Sequence, residues 1–245
     1  MKQPQRVTLA LTAALAVAQS GSAQTDERCN ADAMLVFDAS GSMAEMGHNG
    51  IDTPRINDAR VALHTALPQI TPLRDVGLIT YGPGGDDESC SHVALRLAPA
   101  PDASGEILAE IDGIAPDGNT ALTQAVRDAA QVLGSPERPG VVVLISDGKE
   151  TCGGAPCQLA AELAATAPSL VVHVIGFKVR GAFFGWEGGD GNPDFEVPAS
   201  PARCLADRTG GLYVSTETVD ELVQALKQTL GCPLFSDAGQ GRRPI

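Results

Sequence analysis

The sequence predicts an α/β domain: a doubly wound, mostly parallel open sheet with helices on both faces and one antiparallel edge strand. Three observations carry this reading. Apolar runs of strand length alternate with stretches whose apolar residues recur at helical spacing. Several of the short runs are apolar without interruption, as strands covered on both faces are. One of those runs leads directly into an acid, Asp38, and another reaches Asp147 one residue on, after Ser146, and open α/β sheets bind ligands beyond the carboxyl ends of their strands.

The elements follow in chain order. Ala33–Phe37 is the first apolar run, and Ile56, Ala59, Leu63, Leu67 and Ile70 then mark a helix. Val76–Tyr81 and His92–Leu97 read as strands joined by the turn-rich segment PGGDDESCS. Ile107 and Ile111 suggest a short helix. Leu122, Val126, Ala129 and Leu133 mark another, which ends at Gly134 and the Pro-rich SPERPG. Val141–Ile145 is a buried strand, Leu159 and Leu163 share a helix face, and Leu170–Phe177 is a second buried strand. Leu212–Val214 is a short strand. Thr218 and Glu221 form a capping box ahead of the stripe Val219, Leu222, Val223, Leu226 and Leu230, and Gly231 ends that last helix.

The ends of the chain read differently. Lys2 and Arg6 precede an uncharged apolar run, Val7–Ala18, and small residues follow, with candidate cleavage points after Ala18 or Ala23. The run is shorter than the roughly 20 residues of a spanning helix. Residues 1–23 are therefore expected to be a signal peptide, 29–232 the domain and 233–245 a C-terminal tail. The expected location is periplasmic or extracellular, with no integral membrane segment. The formal charge of −13 argues against nucleic acid and anionic membrane as partners.

Six cysteines in an exported chain read as disulfides. Fifteen pairings are open to them. Cys29 and Cys232 flank the domain and are expected to tie its ends. Cys152 with Cys157 would close a small loop, leaving Cys90 with Cys204. A zinc knuckle at Cys152–Cys157 would need a second ligand pair at matching spacing, and the sequence has none.

The chemistry concentrates in AMLVFDASGSM, where Asp38, Ser40 and Ser42 stand at alternate positions after a strand. Taken alone they are turn formers, since Asp and Ser bond nearby N–H groups. Asp147, in Ser146-Asp147-Gly148, ends a strand expected beside the first. Thr120, in Asp117-Gly118-Asn119-Thr120, precedes a helix on the way into that strand. Asp38, Ser40, Ser42, Thr120 and Asp147 are all hard oxygen donors of the kind Mg²⁺, Mn²⁺ and Ca²⁺ accept. Asp117 and Glu150 read as solvated or supporting residues. His48, His64, His92 and His173 show no metal spacing, and His173 inside an apolar strand reads as a core or edge residue.

These motifs resemble the von Willebrand factor type A family, whose metal-ion-dependent adhesion site reads D-x-S-x-S, then a Thr before a helix, then an Asp after a central strand. ETCGGAPC and the Cys in ARCLADRTGG further resemble bacterial exported members. The resemblance covers roughly Ala31 to Gly231. It implies the Rossmann-like fold of that family and a Mg²⁺ or Mn²⁺ ion, with Ca²⁺ as an alternative. Ser40 and Ser42 would touch the ion, Thr120 would do so directly or through water, and Asp38 and Asp147 often act through water. Such an ion takes a carboxylate from a protein partner, which is binding rather than turnover. The alternatives are an accessory subunit of a metal-handling enzyme complex and a Mg²⁺-dependent hydrolase. An aspartyl-nucleophile phosphatase usually carries a second acid two residues after the first, where this chain has Ser40. No dinucleotide fingerprint, Walker loop or nucleophile elbow is present.

One connection stands out. The stretch after Phe177 is long for a loop inside a compact α/β domain, yet it holds Phe183, Phe184 and Trp186, the one Trp of the chain. These three are expected to face a partner beside the cation. Asp190, Asn192, Asp194 and Glu196 alternate there as calcium ligands do, but Phe195 stands where a calcium loop needs Gly.

Overall fold

The computed structural model describes residues 29, 31–46, 53–83, 90–178 and 202–232. The expected signal peptide at residues 1–23, the loop with Phe183, Phe184 and Trp186, the calcium-like run and the expected C-terminal tail at 233–245 lie outside the described residues.

The elements run β1 (Asp32–Asp38), α1 (Arg55–Ile70), β2 (Val76–Tyr81), β3 (Val93–Ala100), α2 (Ser104–Asp112), α3 (Leu122–Val132), β4 (Gly140–Ser146), α4 (Pro156–Thr166), β5 (Leu170–Phe177), α5 (Arg203–Thr209), β6 (Tyr213–Thr216) and α6 (Val219–Thr229), with a 3₁₀ turn at Gly41–Ala44. The six strands lie in the order β3-β2-β1-β4-β5-β6. All pairs are parallel except β2–β3, as the sequence predicts.

The unbroken apolar runs have a direct cause. Successive side chains of a strand point to opposite faces, and here both faces are covered. Leu35 and Phe37 of β1 pack with Leu63 and Leu67 of α1, Ile107 of α2 and Leu226 of α6. Met34 and Val36, one residue out of phase, pack with Val126 of α3, Leu159 of α4 and Leu205 of α5 on the other side. Each such side chain contributes about 1.5–3 kcal/mol when fully buried, and all four of these β1 residues are fully buried.

The central pair sets the site. Phe37 of β1 is in register with Ile145 of β4, so the two strands end level with each other. The chain leaves β1 for a helix on one face and reaches β4 from a helix on the other. This divergence opens the crevice in which such folds bind ligands.

The structure departs from the sequence reading in three places. α5 was not predicted: it is seven residues long, too short for a periodic stripe, with only Leu205 and Ala206 buried in it. β3 runs on to Ala100 through Pro99, beyond the expected Leu97; its ladder with β2 is irregular there, and an edge position tolerates a residue without an N–H. The third concerns the disulfides. Cys29–Cys232 joins the two ends, as expected. The other expected pairs, Cys152–Cys157 and Cys90–Cys204, are replaced by Cys90–Cys152 and Cys157–Cys204. Cys157 lies in the first turn of α4, and that helix packs against α5, which carries Cys204. Cys152 lies before the helix, its N–H drawn to Glu150 Oε1 at 2.9 Å, and meets Cys90 near the end of the β2–β3 connection. Nearness in sequence does not fix the direction in which a side chain leaves the backbone.

Candidate metal centre

Asp38 ends β1 with its side chain fully buried. Its Oδ1 accepts the Ser40 N–H at 2.9 Å and the Ser40 hydroxyl at 2.6 Å. The first of these bonds is the local turn expected of Asp-x-Ser, so the turn reading and the site reading describe the same atoms. Ser40 Oγ lies 3.2 Å from Ser42 Oγ. Ser42, in the 3₁₀ turn, donates to Asp147 Oδ1 at 2.7 Å. The four residues thus form one continuous run of oxygens across the ends of β1 and β4.

Thr120 reaches this place by backbone contacts. Gly41 N donates to Gly118 O at 3.0 Å, and Asp117 N donates to Ala39 O at 3.0 Å. Thr120 N donates to Thr151 Oγ1 at 2.8 Å, and Thr151 N donates back to Thr120 O at 3.0 Å. These bonds hold the Thr120 loop between the Ser40–Ser42 turn and the segment that follows Asp147. No hydrogen bond among the described residues ties the Thr120 hydroxyl to the other four side chains. Two glycines permit the approach. Gly82 has φ +111°, and a Cβ there would come within 2.5 Å of Ser40 N. Gly118 has φ +73°, and its Cβ would strike Gly82 O.

Three participants were not singled out in the sequence. Ser146 donates to Asp38 Oδ2 at 2.6 Å; its place next to Asp147 was the available signal. Tyr81 pairs with Asp38 across β1–β2, and its buried hydroxyl lies beside Asp38 and Ser146. Arg55 Nη1 lies 3.2 Å from Asp147 Oδ2 and donates to Ser42 O at 2.9 Å and Glu45 Oε2 at 3.0 Å. Its signal was a cation in the first turn of α1, the end of a helix dipole where cations are disfavoured.

Two residues read as supports have defined contacts. Glu150 Oε2 accepts the Thr123 N–H at 2.8 Å and the Thr123 hydroxyl at 2.6 Å, which fastens the segment after β4 to the start of α3. Asp117 Oδ1 accepts the Gly118 N–H at 2.8 Å. Two of the described histidines are engaged away from the site. His64 bonds Asp112, and His173 Nδ1 accepts the Leu212 N–H at 3.0 Å.

The electrostatics are those of an anionic pocket. Burial raises the Asp38 carboxyl above its ordinary range, against the opposing hydrogen bonds of Ser146 and Ser40. Asp147 is pushed up to about 6, first by burial and then by the charge of Asp38, with Ser42 and Arg55 pulling it down. The Tyr81 hydroxyl is raised by burial and by Asp38, so it stays neutral. Two buried acids lie close together, only Asp147 meets a guanidinium, and a cation would relieve the remaining charge. Among the described residues no three His, Cys, Asp or Glu side chains gather as a ligand set. The donors that do gather are two carboxylates and several hydroxyls. That set fits a hard divalent ion that keeps part of its water.

A doubly wound sheet with such an oxygen cluster at its switch point defines the class of open α/β domains with a polar crevice at the carboxyl edge. A family model described as von Willebrand factor type A domain matches residues 33–150, the span from β1 through the segment after β4. A relative, the uncharacterized protein YwmD of Bacillus subtilis (strain 168), is 27% identical over 217 residues, covering 84% of this chain and 88% of the relative. An aerotolerance-related membrane protein from Bacteroides fragilis NCTC 9343 superposes with a TM-score of 0.57 at 19% identity, covering 82% of this chain and 98% of that one. Proximal thread matrix protein 1 from the mussel byssus, with a zinc-occupied adhesion motif, superposes with a TM-score of 0.54 at 17% identity, covering 82% and 44% of the two chains. At these identities the two structures speak to the fold.

Proposed function

We propose that the protein is an exported binding module in which a divalent cation, Mg²⁺ or Mn²⁺ before Ca²⁺, is held at the carboxyl edge of the sheet and captures a carboxylate of a protein partner. The observation behind this reading is the unbroken run Asp38–Ser40–Ser42–Asp147, built from hydroxyls and two buried acids. Ser40, Ser42 and Thr120 are the direct ligands in this reading, with Asp38 and Asp147 close behind them. When bound, the ion supplies a Lewis-acidic point at which an outside carboxylate completes the coordination. The residues of the chain do the rest. Ser146 holds Asp38 in place, and the two bonds between Thr120 and Thr151 hold the third ligand loop. The mussel protein shares the fold and holds zinc in its motif, so Zn²⁺ belongs among the ions tested.

A binding role suits the state of Asp38 better than a nucleophilic one. Both of its oxygens are engaged, by Ser40 and by Ser146, and the side chain is fully buried. A carboxylate so placed orients neighbours and has no open path to a substrate. Three disulfides fit an oxidising compartment, in keeping with export by residues 1–23. We assign Phe183, Phe184 and Trp186 to the apolar part of the partner surface.

Titration calorimetry with Mg²⁺, Mn²⁺ and Zn²⁺ on the wild type and Asp38→Ala tests the ion. Capture of partners from the native envelope, with Mg²⁺ and with chelator, tests the role. Saturable binding lost in the variant, and a partner released by chelator, are expected. A wild type that binds no divalent ion ends this reading. Trp186→Ala is expected to weaken capture while sparing ion binding.

A further inference from the structure

We infer that Arg55 is a positioning residue that holds Asp147 as an internal counter-cation, so that a divalent ion shares this carboxylate with a guanidinium and is left short of negative charge. The inference rests on the metal-binding reading above and names what tunes it.

Arg55 is the first residue of α1, where a positive charge opposes the helix dipole. Its side chain is nonetheless only 9% exposed. The guanidinium is spent at one end: Nη1 meets Asp147 Oδ2, the Ser42 carbonyl and Glu45 Oε2. Nε is buried with no hydrogen-bond partner among the described residues. A buried cation held this way has one strong electrostatic partner that is also buried, Asp147. Glu45 is 68% exposed and screened by water.

The geometry divides Asp147 between two neighbours. Oδ1 takes the Ser42 hydroxyl, and Oδ2 faces Arg55. The same guanidinium also bonds the carbonyl of Ser42, so one side chain fixes both the acid and the turn that presents the serine. Arg cannot give up its proton in a protein, and its fork is rigid, so this charge is permanent. An arriving divalent ion meets a carboxylate already half neutralised and a fixed positive charge behind it. Its affinity falls, and its demand for an outside carboxylate rises.

Glu45 makes the idea separable from a merely structural role. It draws the guanidinium away from Asp147. Removing Arg55 and removing Glu45 should therefore act on ion affinity with opposite signs. We expect Arg55→Gln to bind Mn²⁺ about tenfold more tightly than wild type, and Glu45→Gln to bind it several-fold more weakly, both by calorimetry on protein with unchanged circular dichroism. Arg55→Lys should fall between wild type and Arg55→Gln. A cycle of Arg55→Gln and Asp147→Asn in metal-free protein, read as thermal midpoints, should be strongly non-additive.

Equal or weaker Mn²⁺ binding by a folded Arg55→Gln, or additive midpoints in the cycle, overturns the inference while leaving the metal site standing. If wild type binds no divalent ion, the proposed function falls and the inference falls with it. If Arg55→Gln does not fold, Glu45→Gln decides: unchanged or tighter binding there overturns the inference.

Discussion

Ser42 and Asp147, 105 residues apart in the chain, meet through a 2.7 Å hydrogen bond from hydroxyl to carboxylate. The bond joins the turn after β1 to the end of β4, the two strands that flank the switch point. Ser42→Ala removes a proposed ligand and this tie together. The fold should lose only about 1 kcal/mol, since the side chain is partly exposed and no cavity opens in the core. Mg²⁺ affinity should fall at least about tenfold. Calorimetry beside a thermal melt checks both; normal ion binding in a folded variant would remove Ser42 from the ligand set.

Metal itself should stabilise the domain. An ion that binds only the folded state adds about 2.7 kcal/mol at a hundred times its dissociation constant. Mg²⁺ or Mn²⁺ should therefore raise the melting temperature of wild type by several degrees, and chelator should reverse the rise. Asp38→Asn should abolish it. A melting temperature indifferent to every divalent ion tested would contradict the site.

The Cys90–Cys152 bridge should matter to the site as well as to the fold. Cys152 lies in the segment that carries Thr151 and Glu150, which hold Thr120 and Thr123. Replacing both cysteines by Ser should cost about 2–4 kcal/mol and weaken Mg²⁺ binding. Replacing Cys29 and Cys232, which tie the ends of the domain, should cost stability and leave ion affinity unchanged. Peptide mapping under non-reducing conditions should recover Cys90 with Cys152 and Cys157 with Cys204; a Cys152–Cys157 peptide would refute the connectivity.

His173 should make stability fall in mild acid. Burial, and after it the charge of Arg74, lower its folded value to about 4 from the ordinary 6.5. Its Nδ1 accepts the Leu212 N–H, which protonation would forbid. The unfolded chain therefore binds the proton first. The contribution of His173 is complete above pH about 6.5 and is lost as pH falls toward 4, by at most a few kcal/mol. His173→Asn keeps an acceptor at that position and does not titrate. Denaturant melts of the two proteins in chelator between pH 4.5 and 7 should differ in slope, wild type losing more; parallel curves would show that His173 is not the titrating group.

Much of this molecule is legible in the chain itself. β1 and β4 read as nearly unbroken apolar runs, and β2 and β5 as apolar runs interrupted by Thr80 and His173, because all four are covered on both faces. Asp38, Ser40, Ser42, Thr120 and Asp147 stand out because a polar residue at the end of such a run, or just before a helix, is a local signal. The capping box of α6 is equally local, since all its atoms lie within four residues.

Tertiary structure alone decided the rest, and the reason is direction. Cys157 bonds Cys204 because its place in the first turn of α4 turns it toward α5, something spacing along the chain does not encode. α5 buries only two residues and has no stripe to read. Arg55 and Ser146 join the site because the register of β1 with β4 and the packing of α1 bring them to Asp147 and Asp38. A sequence lists which groups can bear charge or donate a hydrogen bond. Which of them share one buried volume, and so feel each other at low dielectric, is settled only when strands, helices and bridges are in place.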